Sequence, residues 1–254
     1  MTHAHHDFRY EILKDVDHRP WPMPDAPWII TQTWHDLLFA HWPVDRRELE
    51  ARLPASCELD VFDGRAWVGV VSFEMTNVAP RAVPALPWMS AFPEINVRTY
   101  VRVNDKPGVY FFSLDAANPV AVWIARMLFH LPYYSASIDV RHGGEDVIDY
   151  RSRREEGEAV FHACYRPTGA ATAPVEGSLE YFLTERYCLY TVDASNRLAR
   201  VDIHHPRWPL QPATADIRVN TLAQAAGIRL PSVEPLLHFA RRQDVVNWPP
   251  TPAR

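Results

Sequence analysis

A chain of 254 residues with 47% hydrophobic and 22% charged side chains is long enough to bury one large core, and it lies outside the disordered and fibrous classes. Its 31 acidic and 26 basic residues give a net charge of −5 without blocks of like sign, so nucleic acid is not an expected partner. Cys57, Cys164 and Cys188 are too few and too scattered for a disulfide framework, and no run of about 18 apolar residues could cross a membrane, which makes the cytoplasm the expected compartment.

Residues 1–27 read as an amino-terminal arm, flexible or packed on the surface. It has histidines (His3, His5, His6) and charges where a secretory signal would be apolar. Residues 28–254 read as a single domain. Trp34, Leu37, Leu38, His41 and Trp42 form an aromatic-rich segment, and Asp45 to Leu53 predicts a short helix stopped by Pro54. Leu59–Phe62 and Ala66–Phe73 around Asp63-Gly64 predict a hairpin, because Asp-Gly supplies the positive φ of a tight turn. Glu94–Val103 and Gly108–Leu114 predict a second. Asn118-Pro119 is a helix start, with Asn as cap and Pro in the first turn. It is followed by an apolar stripe of Val120, Trp123, Ile124, Met127 and Leu128 that ends before Pro132. Strands are then expected at 134–141, 147–152, 159–165, 187–192 and 198–204, with helical turns at 179–184 and 221–226. Many short strands with few helices predict a mainly β (α+β) fold, a closed or strongly curved antiparallel sheet with peripheral helices.

Several chemistries lack their parts. None of the nine glycines falls in a dinucleotide or phosphate cradle, and no serine-hydrolase elbow or zinc-protease motif is present. No cofactor and no metal is expected. His162-Ala-Cys164 has a ligand-like spacing, but alternation on a half-buried strand accounts for it. In His204-His205, neighbours on a strand face opposite ways, so at most one could serve a pocket. Only Lys14 and Lys106 are lysines, which leaves two candidates for imine chemistry. The 23 prolines cluster in Pro20–Pro27, Pro80–Pro93, Pro206–Pro212 and Pro249–Pro252, which read as extended or loop segments.

The strand from Glu94 to Val103 alternates. Glu94, Asn96, Arg98, Tyr100 and Arg102 share one face, and Ile95, Val97, Thr99, Val101 and Val103 the other. The polar face either meets water or lines the inside of a closed sheet, where a carboxylate beside a guanidinium makes an acid/base group and an anion clamp. Leu183-Thr-Glu-Arg-Tyr187 gathers polar groups at a helix-to-strand junction, where Glu185 paired to Arg186 or Arg126 would be structural.

Five motifs in order carry a family likeness: Phe92-Pro-Glu-Ile-Asn-Val-Arg-Thr-Tyr-Val101, Gly108-Val-Tyr-Phe-Phe-Ser-Leu-Asp-Ala116, Ala125-Arg126 with Leu131-Pro-Tyr-Tyr134, Leu183-Thr-Glu-Arg-Tyr187 and His205-Pro-Arg-Trp-Pro-Leu-Gln211. Over residues 28–249 the chain resembles the YqjF-like family of uncharacterised bacterial proteins, which is similar to the acetoacetate-decarboxylase-like superfamily. The resemblance implies a curved β-barrel around a pocket and turns the polar face of Glu94 to Arg102 inward. It also aligns Glu94 with the decarboxylase glutamate, Tyr133 with the Schiff-base lysine, and Tyr134 with that lysine's neighbour. A phenol forms no imine, so Schiff-base decarboxylation is not expected. The expected function is a small-molecule pocket protein in which Glu94 and Tyr133 act as acid/base groups and Asn96, Arg98, Tyr100 and Tyr134 bind a small carboxylate or carbonyl ligand. A non-catalytic sensing module and a structural or partner-binding role carried by segments such as Pro80–Pro93 are the alternatives, and homo-oligomerisation is left open.

Overall fold

The computed structural model describes residues 7–83, 90–193, 195 and 197–253. The thirteen strands, in chain order, are β1 (Ile30–Val44), β2 (Glu58–Leu59), β3 (Ala66–Pro80), β4 (Phe92–Val103), β5 (Lys106–Ala116), β6 (Tyr133–His142), β7 (Ile148–Arg154), β8 (Val160–Pro167), β9 (Cys188–Val192), β10 (Leu198–His204), β11 (Gln211–Asn220), β12 (Leu236–Asn247) and β13 (Thr251–Pro252). Among the described residues four short α-helices punctuate them: α1 (Arg46–Glu50), α2 (Pro119–Phe129), α3 (Leu179–Thr184) and α4 (Leu222–Ala225).

Local chemistry explains most boundaries. Asp45 caps α1 by accepting the Arg47 N–H at 2.8 Å. Asn104 and Asp105, both at positive φ, close the β4–β5 hairpin in the left-handed conformation that a two-residue turn requires. Asp63 and Gly64 also take positive φ. The predicted hairpin partner differs, however. Past that turn only Phe62 and Arg65 bridge, and β2 pairs with β4 instead of β3. The turn residues set the reversal, while the burial of Leu59 against the far side of β4 sets the pairing.

The strands form one large curved sheet whose ladder returns on itself. One circuit runs β4-β5-β6-β7-β8-β11-β12-β1-β3 and back to β4, and a second runs from β5 through β9 and β10 to β12. The wall β12-β1-β3-β4-β5 is common to both. Pairing is antiparallel except at two seams, β5–β6 and β5–β9, which are parallel. The first circuit is packed solid by Leu38, Val68, Val70, Ile95, Val97, Tyr150, Phe161, Tyr165 and Phe239. The second is hollow. Both faces of β4 are therefore covered, the apolar one by packed core and the polar one by the walls of a cavity.

The expected arm is ordered over residues 7–27. Ile12 is buried, Phe8, Leu13 and Met23 pack with Val246 and Trp248, and Arg19 donates to the Ile203 carbonyl at 2.8 Å. His3, His5 and His6 lie outside the described residues, as does 84–89 within the proline-rich segment. No helix of the described residues is long and apolar enough to cross a membrane.

Candidate functional site

The cavity, of about 190 Å³, opens against the polar face of β4. Glu94, Asn96 and Arg98 project into it at every second position, as a pleated strand dictates. Beside them on the same wall stand Val71, Phe73 and Met75 from β3, and Leu189 from β9 and Val201 and Ile203 from β10 complete the apolar lining. Helix α2 roofs the space with Ala121, Ile124, Ala125 and Phe129. Its first turn is fixed by Asn118, whose side chain accepts the N–H groups of Val120 and Ala121 at 3.1 Å each. Its end is fixed by His130 in the left-handed conformation, which sends the chain back into β6.

That return places Tyr133 over Glu94. The Tyr133 hydroxyl donates to Glu94 Oε2 at 2.8 Å. The parallel seam sets this position, since Leu114 is opposite Tyr133 while Glu94 is opposite Ala116 on the other side of β5. Burial pushes the Glu94 carboxyl up to about 7, against the opposing hydrogen bonds from Tyr133 and Asn96; Asp115 nearby raises it further. Burial also raises the Tyr133 phenol well above its usual range. Two polar atoms on this wall, Asn96 Oδ1 and Arg98 Nε, are buried without a hydrogen-bond partner among the described residues. The Arg98 guanidinium sits 5.3 Å from the centre of the Phe39 ring. One end of the cavity thus combines a cation without an ion-pair partner among the described residues, a carboxyl that titrates near neutrality and a phenol. The remainder is mostly hydrocarbon, with Gln32, Thr184, Arg186, His205 and Asn247 as further polar lining groups.

A profile for DUF2071, an uncharacterized conserved protein family, matches residues 31–244. The chain belongs to the DUF2071 family. Within reach of that family is the uncharacterized protein YqjF of Bacillus subtilis (strain 168), 51% identical over 228 residues that cover 89% of this chain and 93% of YqjF. Among solved structures, the acetoacetate decarboxylase of Legionella pneumophila aligns with a TM-score of 0.62 at 14% identity, covering 96% of this chain and 95% of that one. The enduracididine biosynthesis enzyme MppR complexed with pyruvate aligns at 0.62 and 11%, covering 92% and 93%. An acetoacetate decarboxylase-like enzyme from Sphingomonas wittichii RW1 aligns at 0.61 and 14%, covering 93% and 99%. At these identities the likeness establishes the fold alone.

In this DUF2071 chain neither lysine lines the cavity. Lys14 lies in the arm's short helical turn, and Lys106 opens β5 with its ammonium 5.4 Å from the Trp21 ring. Of the six residues singled out from sequence, Glu94, Asn96, Arg98 and Tyr133 meet at the cavity wall. Tyr100 and Tyr134 do not. Tyr100 has the right parity but lies beneath the floor, where Phe182 and Arg186 pack on its ring and its hydroxyl meets His41 Nε2 at 2.6 Å. Tyr134 follows Tyr133 and so faces away, with the Arg154 guanidinium 3.7 Å above its ring.

The helix stripe is also reassigned. Val120, Trp123, Met127 and Leu128 are exposed, and only Ile124 of the predicted set faces the cavity. Arg126 donates to the Tyr133 carbonyl at 2.6 Å and does not pair with Glu185, which instead accepts from the Tyr187 hydroxyl and the Trp208 N–H. Gln32, Thr184 and Asn247 also line the cavity, as do three groups that the sequence reading took as structural or passed over, His205, Arg186 and Trp208. The signal of these last three was present, since the last two recognised motifs contain them. His205 lines the cavity while His204 turns to the arm, accepting from Arg19 at Nδ1 and donating from Nε2 to the Ile12 carbonyl.

Proposed function

We propose that the cavity binds a small carboxylate or carbonyl compound with an apolar body, that Arg98 holds its charged end, and that Glu94 and Tyr133 act on it as an acid/base pair. Arg98 carries this reading. Its guanidinium stands in an apolar enclosure without an ion-pair partner among the described residues, and its Nε is buried and unsatisfied. A cation desolvated in that way is costly unless an anion joins it. The Glu94 carboxyl, pushed up to about 7, is protonated in part at neutral pH and so adds little competing negative charge. A group titrating there suits proton transfer in either direction.

The volume constrains the ligand. An apolar cavity of about 150 Å³ holds benzene, so a space of about 190 Å³ fits a body of that size with a carboxyl group attached. Imine chemistry has no amine here, because both lysines lie outside the lining. A non-catalytic binding module is the second reading, favoured by the Tyr133–Glu94 hydrogen bond, which commits each group to the other.

Calorimetric titration with acetate, hexanoate and phenylacetate tests the proposal. The two larger acids should bind more tightly than acetate, more weakly at pH 8 than at pH 6, and at least tenfold more weakly to Arg98→Ala. Unchanged binding in Arg98→Ala would defeat the anion-clamp reading. For catalysis, 2-oxo analogues of the same acids are incubated and analysed by mass spectrometry, with Glu94→Gln and Tyr133→Phe expected to slow any conversion by about 10²-fold or more. Recovery of every bound compound unaltered favours the binding module.

A further inference from the structure

We propose that Asp149, His162 and Cys164 form a zinc site on the outer face of the sheet, separate from the cavity. Strands β7 and β8 are antiparallel, with Asp149 opposite Cys164 and Arg151 opposite His162, so these side chains share one face. The alternate residues Ile148, Tyr150, Phe161, Ala163 and Tyr165 are buried in the packed circuit, which puts the other set on the opposite side from the core. One ligand atom from each of Asp149, His162 and Cys164 lies within 4.8 Å of the others. Tetrahedral zinc with bonds of about 2.0–2.3 Å needs neighbouring ligand atoms about 3.5 Å apart. Small side-chain rotations close that difference.

The histidine carries the second observation. His162 Nε2 lies 3.2 Å from Asp149 Oδ1, yet this buried nitrogen has no hydrogen-bond partner of acceptable geometry. A ring nitrogen and a carboxylate oxygen at that distance are joined by a proton or by a metal ion, and a zinc ion would take both as ligands. Arg151 meanwhile grips Asp149 with two hydrogen bonds, Nε to Oδ1 at 3.0 Å and Nη2 to Oδ2 at 2.7 Å, which fixes the carboxylate as an outer-shell arginine would. The donor set of thiolate, imidazole and carboxylate suits zinc and disfavours magnesium or calcium, which take all-oxygen sites. Thiolate and carboxylate together neutralise the dication, and three protein ligands leave a fourth position for water. Because the site faces away from the cavity, its effect is to pin β7 to β8.

The test uses the full chain stripped of metal. Cobalt(II) should bind with a near-ultraviolet thiolate-to-metal charge-transfer band, which the amino-terminal histidines His3, His5 and His6 cannot produce because they offer no sulfur. Zinc should displace it. Cys164→Ser should abolish the band, and His162→Ala and Asp149→Asn should each weaken zinc binding at least tenfold in competition with a chromophoric chelator. In the unsubstituted chain, zinc should slow alkylation of Cys164, followed by peptide mass spectrometry, a readout independent of how the variants fold. Absence of the band, its survival in Cys164→Ser, or an alkylation rate indifferent to zinc would overturn the site.

Discussion

Glu94 is the side chain on which the cavity's chemistry turns, and its pH behaviour gives a stability prediction of known sign. Burial raises its folded pKa to about 7 from 4.5, so between those values the folded chain holds a proton that the unfolded chain has released. Stability is then greatest below about pH 4.5 as far as this group is concerned, and it declines as pH rises to about 7. The shift corresponds to about 3 kcal/mol for this buried carboxyl. Glu94→Gln removes the titration. Denaturant unfolding at pH 5 and pH 8 should therefore show the parent losing stability relative to Glu94→Gln at the higher pH, and parallel curves for the two proteins would contradict the assignment. Alternation in the sequence was enough to place Glu94, Asn96 and Arg98 on one face. It could not place Tyr100, which has the same parity but is covered by Phe182 and Arg186, residues 82 and 86 positions later in the chain. A period reveals which residues share a side and is silent about what arrives to cover them.

Helix α2 shows the same division at the level of an element. Its limits were readable because cap chemistry is local: Asn118 accepts two N–H groups, Pro119 needs none, and His130 turns the chain at a φ of 53°. Its buried side was misread, because Pro119–Phe129 is apolar all round apart from Arg126, and periodicity has no contrast from which to choose. The orientation came instead from Val122 and Phe129 packing inward while Trp123 and Met127 stay in solvent. Asn118→Ala should cost about 1 kcal/mol through loss of the cap and, by fraying the roof, should weaken binding of phenylacetate. Trp123→Ser, on the exposed side, should change stability by less than about 0.5 kcal/mol. Urea unfolding midpoints decide both, and a large loss in Trp123→Ser would mean that this face is covered in solution.

At the scale of the whole molecule, a closed or strongly curved sheet was legible, and the strands that complete it were the part the sequence concealed. Strands β11 and β12 complete the circuits, yet neither has the look of a strand: β11 carries Asp216 and Arg218, and β12 carries Arg241-Arg242-Gln243-Asp244 at its centre. Asp216 and Arg218 pair with each other, while the charges of β12 also meet partners far along the chain, Asp7 for Arg242, Thr33 for Asp244 and Asp36 for Arg241. Only the folded circuit brings them together. The β5–β6 seam beside the site is narrow, with three register pairs from Leu114–Tyr133 to Ala116–Ser135. It is reinforced from β7. Arg154 reaches across β6 and holds Asp115 with hydrogen bonds of 2.9 and 2.8 Å, with only 8% of the guanidinium and 0% of the carboxylate exposed, while Tyr134 stacks on the arginine. Removing one member leaves the other charge buried and alone, which costs about 3–5 kcal/mol. Asp115→Asn and Arg154→Met should each destabilise the fold by that order in denaturant unfolding, and the double variant should lose less than the sum of the two. Because the same seam sets Tyr133 against Glu94, any folded fraction of either single variant should also bind phenylacetate more weakly. Single variants within about 1 kcal/mol of the parent would show that the backbone pairing holds the seam unaided.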